Sequence, residues 1–268
     1  MKILLLIVNL LFVGFIASKS ACIIIHGTWA QGETWHTPQG DFFKSIQRTA
    51  QEHCMVDEII SFSWTGKLSY VCQLEAAERL QNLIKKYDFV ILIGHSHGAT
   101  VGIIASQLLA QASSSLKIKK FYALGVPVDP SMQVYPAMSV IEKFYNLFSF
   151  GDYVQTVNGA NLRCFDPHEC LANISVIVQG EHPSHGQLHH AIIGRDLLKI
   201  DDYFASRGLG NFDNFCCNQP GMIQFFAYEV PIYQTQPDQT ALLELDKKAQ
   251  WMMTMAFFRN ASNNPERK

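Results

Sequence analysis

Residues 87–110 read YDFVILIGHSHGATVGIIASQLLA: an apolar run, a corner bounded by glycines, then a run rich in small residues. Phe89 to Ile93 is rich in β-branched residues and too short for a helix, so it predicts a buried parallel strand. From Ala99 onward Val101, Ile104, Ala105, Leu108 and Leu109 recur at spacings of three and four, which predicts a helix over Ala99–Ala112. Between them lie Gly94, His95, Ser96, His97 and Gly98. Gly94 and Gly98 flank the serine where backbone would otherwise meet a Cβ, and Gly102 lets the helix lie close on the strand. The expected corner is tight and strained, with the hydroxyl of Ser96 exposed at its tip.

Gly-x-Ser-x-Gly between a strand and a helix is the arrangement of a nucleophile elbow. An ordinary βα turn with an incidental serine, or a phosphate-binding loop, uses the same residue types. Partners elsewhere in the chain have to decide between these readings.

The bounds are those of one α/β domain with additions. The chain has 268 residues, 48% of them hydrophobic and 16% charged, enough to bury a large core. A net charge of -2 gives no support for nucleic-acid binding. At the N-terminus Lys2 precedes an apolar run from Ile3 to Ala17, broken only by Asn9. The run is shorter than the ~20 residues a spanning helix needs, so it is expected to be a secretory signal, with an uncleaved anchor as the rival. Cleavage after Ser20 would leave Ser18 and Ser20 at the small-residue positions. The chain is therefore expected to be exported, periplasmic or secreted, or held at a membrane by residues 1–20.

Seven cysteines in an exported chain permit disulfides and leave at least one unpaired or intermolecular. Cys164 and Cys170 bracket CFDPHEC and are candidates to close that loop, whereas the adjacent Cys216 and Cys217 are expected to seek different partners. With His168 the loop also holds a possible set of zinc ligands, but no second half follows at finger-like spacing, so no metal is expected.

Strand patterns at Cys22–Ile25, Glu58–Phe62, Phe89–Ile93, Lys119–Leu124, Phe144–Phe150 and Ile174–Gln179 alternate with helical ones. The predicted helices are Phe42–His53, Tyr70–Lys86, Ala99–Ala112 and Gln187–Leu198. That alternation predicts a mostly parallel sheet with helices on both faces, with its chemistry in loops beyond the carboxyl ends of the strands. Three such loops carry chemistry. His26, Gly27 and Thr28 follow the first strand. Asp152 follows Phe144–Phe150 beside Gly151, and Asp129, after the preceding strand, is its rival. The last strand leads into EHPSHGQLHH, which holds His182, His185, His189 and His190.

With IIHGTW, SFSWTG, GHSHG, FSFGDYVQ and SHGQLHH in this order, residues 21–198 resemble a lipase/esterase-type member of the α/β-hydrolase superfamily. The resemblance implies the chain order serine, acid, histidine, with the acid after the second strand beyond the elbow and the histidine after the third. It makes Ser96 the nucleophile, Asp152 the acid and His185 the base, with His189 the alternative base. It places the oxyanion between the backbone N–H of Thr28 and that of His97, the latter at a helix N-terminus whose dipole favours negative charge. No cofactor is implied. The expected substrate is a small-molecule or lipid ester, with contact to a membrane surface possible. A thioesterase or amidase would use the same three side chains, and a non-catalytic binding protein is the alternative from another class. Residues 199–268 depart from a minimal hydrolase and are expected to be a C-terminal extension, either a packing appendage or a lid over the site.

Overall fold

The computed structural model describes residues 18–112, 115, 117–128, 135–156, 162–166, 168–178, 180–202 and 221–225. Among these residues seven strands form one sheet in the order β2-β1-β3-β4-β5-β6-β7, with every neighbouring pair parallel. They are β1 (Ser20–Ile25), β2 (Glu58–Phe62), β3 (Phe89–His95), β4 (Ile118–Leu124), β5 (Phe144–Phe148), β6 (Leu171–Val178) and β7 (Gly221–Phe225). Among the described residues four helices accompany them: α1 (Asp41–Glu52), α2 (Tyr70–Ile84), α3 (His97–Gln111) and α4 (Ala191–Leu197). This is the parallel sheet with helices on both faces that the strand and helix patterns predict, and the α/β-hydrolase arrangement that the resemblance implies.

Side-chain alternation along the central strands builds two cores. Ala21, Ile23 and Ile25 of β1, Val90 and Leu92 of β3, and Phe121 and Ala123 of β4 face one side, where Ala76, Ala77 and Leu80 of α2 and Val101, Ile104 and Leu109 of α3 cover them. Cys22, Ile24, Ile91, Ile93, Tyr122 and Leu124 face the other, under Phe42, Phe43 and Ile46 of α1 and Ile193 and Leu197 of α4. Strands buried on both faces read as continuous apolar runs, which is why β1 and β3 were legible without alternation.

The direction of winding fixes where a site can form. β1 and β3 are neighbours, yet the helices that follow them lie on opposite faces, α1 on one and α3 on the other. Such a reversal leaves a crevice beyond the carboxyl ends of the two strands. His26 to Thr28 and Ser96 border it.

The structure revises several boundaries. The predicted helix Gln187–Leu198 is broken. His185–His189 forms a 3₁₀ turn, and α4 starts only at Ala191, where the His190 ring accepts from the Ile192 N–H. β5 stops at Phe148, two residues short of the expected end, and β6 begins three residues early at Leu171. β7 lies within the segment read as an extension and pairs with β6. At the other end β1 already includes Ser20, whose N–H and Oγ both meet Asp57 Oδ2, at 2.7 and 2.8 Å. Lys19 donates its N–H to Asp88. Cys22, Cys54, Cys72 and Cys170 carry free thiols, so the CFDPHEC loop is not closed by a disulfide. Residues 1–17, Asp129, Cys216 and Cys217 lie outside the described residues.

Candidate active site

Ser96 connects β3 directly to α3 with φ 54° and ψ -132°, a conformation a residue with a side chain adopts only under constraint. The constraint is the packing of α3 on the first loop. A Cβ at Gly98 would lie 2.4 Å from the His26 carbonyl oxygen, so only glycine permits this approach. Ser96 is 7% exposed. The residue expected at an exposed tip is instead largely buried, because the loop after β1 leans on it. A Cβ at Gly27 would sit 3.0 Å from Ser96 Cβ.

That loop is held from below. The Trp64 N–H donates to His26 Nε2 and its indole N–H donates to the His26 carbonyl, at 3.2 and 2.7 Å. Since Nε2 accepts, the other ring nitrogen carries the proton, and Nδ1–H donates to the Gly27 carbonyl at 2.8 Å. His26 is thus a structural clamp on the peptide ahead of Thr28. Beyond it Trp29 is held at φ 60°, its N–H donating to the Gly66 carbonyl. Between these two fixed points lies Thr28, whose Oγ1 is buried with no hydrogen-bond partner among the described residues. His97 follows Ser96 as the first residue of α3, where its backbone N–H has no partner inside the helix.

Asp152 lies beyond β5 and is fully buried. Its Oδ1 accepts the Gln155 N–H at 3.1 Å and its Oδ2 lies 2.8 Å from His185 Nδ1. The Gln155 side chain donates to the Val126 carbonyl, and Arg163 donates to the carbonyls of Ser149 and Asp152. The loop that carries the carboxylate is therefore anchored at both ends. Gly125, after β4, makes room for the pair: its φ is +60°, and a Cβ there would meet Asp152 Oδ2 at 2.7 Å and Leu188 at 2.8 Å.

The four histidines of the last loop separate by environment. Among the described residues His185 alone of the four meets a carboxylate. His189 stacks on Trp35, ring centroids 4.2 Å apart and 12° from parallel, and burial pushes its imidazole down to about 4. His190 caps α4, and His182 packs its ring against Phe150. Burial, then the neighbouring His185, pushes His97 down to about 4, and burial, then His26, does the same to His36. Loss of water first, and repulsion from neighbouring rings second, keeps His36, His97 and His189 neutral. Among the described residues no group of three His, Cys, Asp or Glu side chains is arranged to hold a metal ion.

The structure brings Ser96, His97, Thr28, Asp152 and His185 to one edge of the sheet. Gly125, Gln155, Arg163 and His95 support them, and none of the four had been assigned a role from the sequence. Gly125 and His95 had a detectable signal, a glycine just past a strand and a free position inside the elbow. Gln155 closes the motif FSFGDYVQ three places after Asp152, whereas Arg163 had no signal.

Residues 22–161 match the family described as Lipase (class 3). No curated protein sequence matches the chain. Among solved structures, a hydrolase of the alpha/beta superfamily from Xanthomonas campestris pv. campestris shares 14% identity over 67% of this chain and 98% of its own, with a TM-score of 0.39. A cutinase-like protein from Cryptococcus sp. shares 14% over 72% and 95%, TM-score 0.38. A type II thioesterase of the yersiniabactin pathway shares 10% over 71% and 94%, TM-score 0.35.

Proposed function

The chain belongs to the class 3 lipase family, and from that premise we propose that it cleaves carboxylic esters through an acyl-enzyme on Ser96. The observation that carries the reading is the 2.8 Å contact between His185 Nδ1 and a fully buried Asp152, at the same sheet edge as the strained Ser96. An ionised carboxylate only accepts, so Nδ1 holds the proton and Nε2 is left as the base.

Ser96 Oγ attacks the ester carbonyl carbon while its proton passes to His185 Nε2. The oxyanion that forms is received by the N–H groups of Thr28 and His97, and the Thr28 hydroxyl, which has no partner among the described residues, is a third donor. The intermediate collapses, the C–O bond to the alcohol breaks, and the departing oxygen takes the proton from His185. Water then gives a proton to the same nitrogen, attacks the acyl carbon and releases the acid, restoring Ser96. Asp152 stays ionised throughout and stabilises the imidazolium of each half-reaction.

The proposed substrate is a small-molecule or lipid ester met by an exported enzyme at a membrane surface. Trp29, 80% exposed, and Leu68, 62% exposed, lie on the loops after β1 and β2, and Val71, also 62% exposed, lies in the first turn of α2, at the edge that also carries Ser96. Exposed apolar groups beside a site suit a lipid contact. The test is hydrolysis of p-nitrophenyl esters of increasing chain length beside matched thioesters and anilides, with Ser96→Ala as the control. Esters are expected to turn over fastest. Preference for the thioesters would replace the ester reading, and no turnover of any class would favour a binding scaffold. Leu68→Ser is expected to weaken vesicle binding without changing hydrolysis of a soluble ester.

A further inference from the structure

His95 fills the free position ahead of Ser96, and the proposed reaction gives it no part. It ends β3, is 5% exposed, and lies in a nest of rings. The centroids of His185, His189 and Trp35 are 4.5, 4.8 and 5.6 Å from its own. Its Nε2 lies 2.9 Å from the backbone carbonyl oxygen of His185, 90 positions along the chain. A carbonyl can only accept, so Nε2 carries the proton. Burial above all, then the two neighbouring histidines, hold its pKa well below the ordinary imidazole value. The ring therefore stays neutral, with one N–H to give, and that N–H goes to His185.

We propose that His95 is a positioning residue that fixes the backbone of the base relative to the nucleophile. The need for it follows from the element that carries His185. That element is a five-residue 3₁₀ turn whose start is held by the reciprocal bonds of Ser184 and Gln187. Short 3₁₀ turns have poor hydrogen-bond geometry and little rigidity of their own. Asp152 fixes only the ring of His185, which can still swing if its backbone drifts. His95 is bonded covalently to Ser96, so its bond to the His185 carbonyl ties the turn to the residue next to the nucleophile. One side chain thereby sets the distance across which the proton passes. It touches neither substrate nor proton.

The inference rests on the acyl-enzyme reading above, and the test separates the two. His95→Phe keeps the ring and its packing but removes the donor, and His95→Gln restores an amide N–H at similar reach. Both are compared with wild type by melting temperature, steady-state kinetics on a soluble p-nitrophenyl ester and rate of labelling by a fluorophosphonate. The Phe variant is expected to lose about 10- to 100-fold in kcat, with KM within about threefold, because displacement of a reacting group by ~1 Å costs this much. The Gln variant is expected to recover most of the loss. A folded Phe variant with wild-type kcat, or Phe and Gln variants that fall alike, overturns the inference. If the Phe variant does not fold, ¹⁵N NMR of histidine-labelled wild type decides: His95 protonated at Nε2 supports the bond, and protonation at Nδ1 overturns it. Failure of the acyl-enzyme reading looks different, since wild type itself would then resist the fluorophosphonate.

Discussion

His185 Nδ1 and Asp152 Oδ2 lie 2.8 Å apart across the ends of β6 and β5, with the carboxylate sealed from solvent. Asp152→Asn would keep the contact to the Gln155 N–H but present an amide to the imidazole and favour the wrong tautomer. Turnover is expected to fall by up to ~10⁴ while the fold persists. Asp129→Asn is expected to stay within about tenfold of wild type, which is the size of an indirect effect (~1.4 kcal/mol). Ester hydrolysis by both variants, at matched folded fraction, checks this. A large loss in Asp129→Asn with near-normal Asp152→Asn would move the acid.

His189 is read as packing and not as base, because its ring is spent on Trp35. His189→Ala is expected to cost about 0.5–1.5 kcal/mol of stability, the worth of a stacked aromatic pair, and less than about tenfold in turnover. His185→Ala should abolish ester hydrolysis while melting close to wild type. Denaturant titration and initial rates for both variants test the assignment, and the reverse pattern would exchange their roles.

Stability should fall on acidification through a window set by the buried histidines. The folded-state values of His36, His97 and His189 are depressed to about 4, chiefly by burial, and those of His26 and His95 are also lowered. An unfolded imidazole titrates near ~6.5. Between these limits the unfolded chain binds more protons than the native one, so each histidine contributes stability that is present above the unfolded value and lost as pH falls. The slope is about 1.4 kcal/mol per pH unit per histidine at its steepest, and it ends below the folded values. Melting temperature measured from pH 7.5 to 4.5 should drop steadily below pH 6.5. A flat profile would contradict the burial of these rings.

Gly125→Ala is expected to damage the site without touching any reacting group. It places a Cβ at positive φ against Asp152 Oδ2 and Leu188. A strained φ costs on the order of 1–3 kcal/mol, and relief comes from moving the carboxylate. Loss of kcat larger than the loss of stability implies, read by kinetics beside thermal melting, supports this. Equal losses would mean that the glycine serves the fold alone.

How far the sequence could be read varies with how local the cause is. β1 and β3 were legible because apolar runs buried on both faces need no partner to be recognised. The elbow was legible because its glycines answer to a geometry only a few residues long. The break at His190 was not, since it depends on a ring capping Ile192 and not on periodicity. β7 was missed because its burial is decided by β6. The need for glycine at position 151, beside Asp152, was not legible either, since a Cβ there would lie 2.3 Å from the His182 carbonyl oxygen, a neighbour distant in sequence. The resemblance already named His185 as base and His189 as its alternative, but their different surroundings were not legible, because both histidines sit in one turn and only Asp152 and Trp35, distant in sequence, set them apart.

The central claim is that Ser96 is a nucleophile activated by His185. The most direct measurement is reaction of the full chain with a fluorophosphonate, followed by mass spectrometry of the digested protein. The expected result is one phosphonyl adduct, on the peptide that carries Ser96, absent from Ser96→Ala and formed far more slowly in His185→Ala. Equal labelling of wild type and Ser96→Ala, or an adduct on another serine, would contradict it.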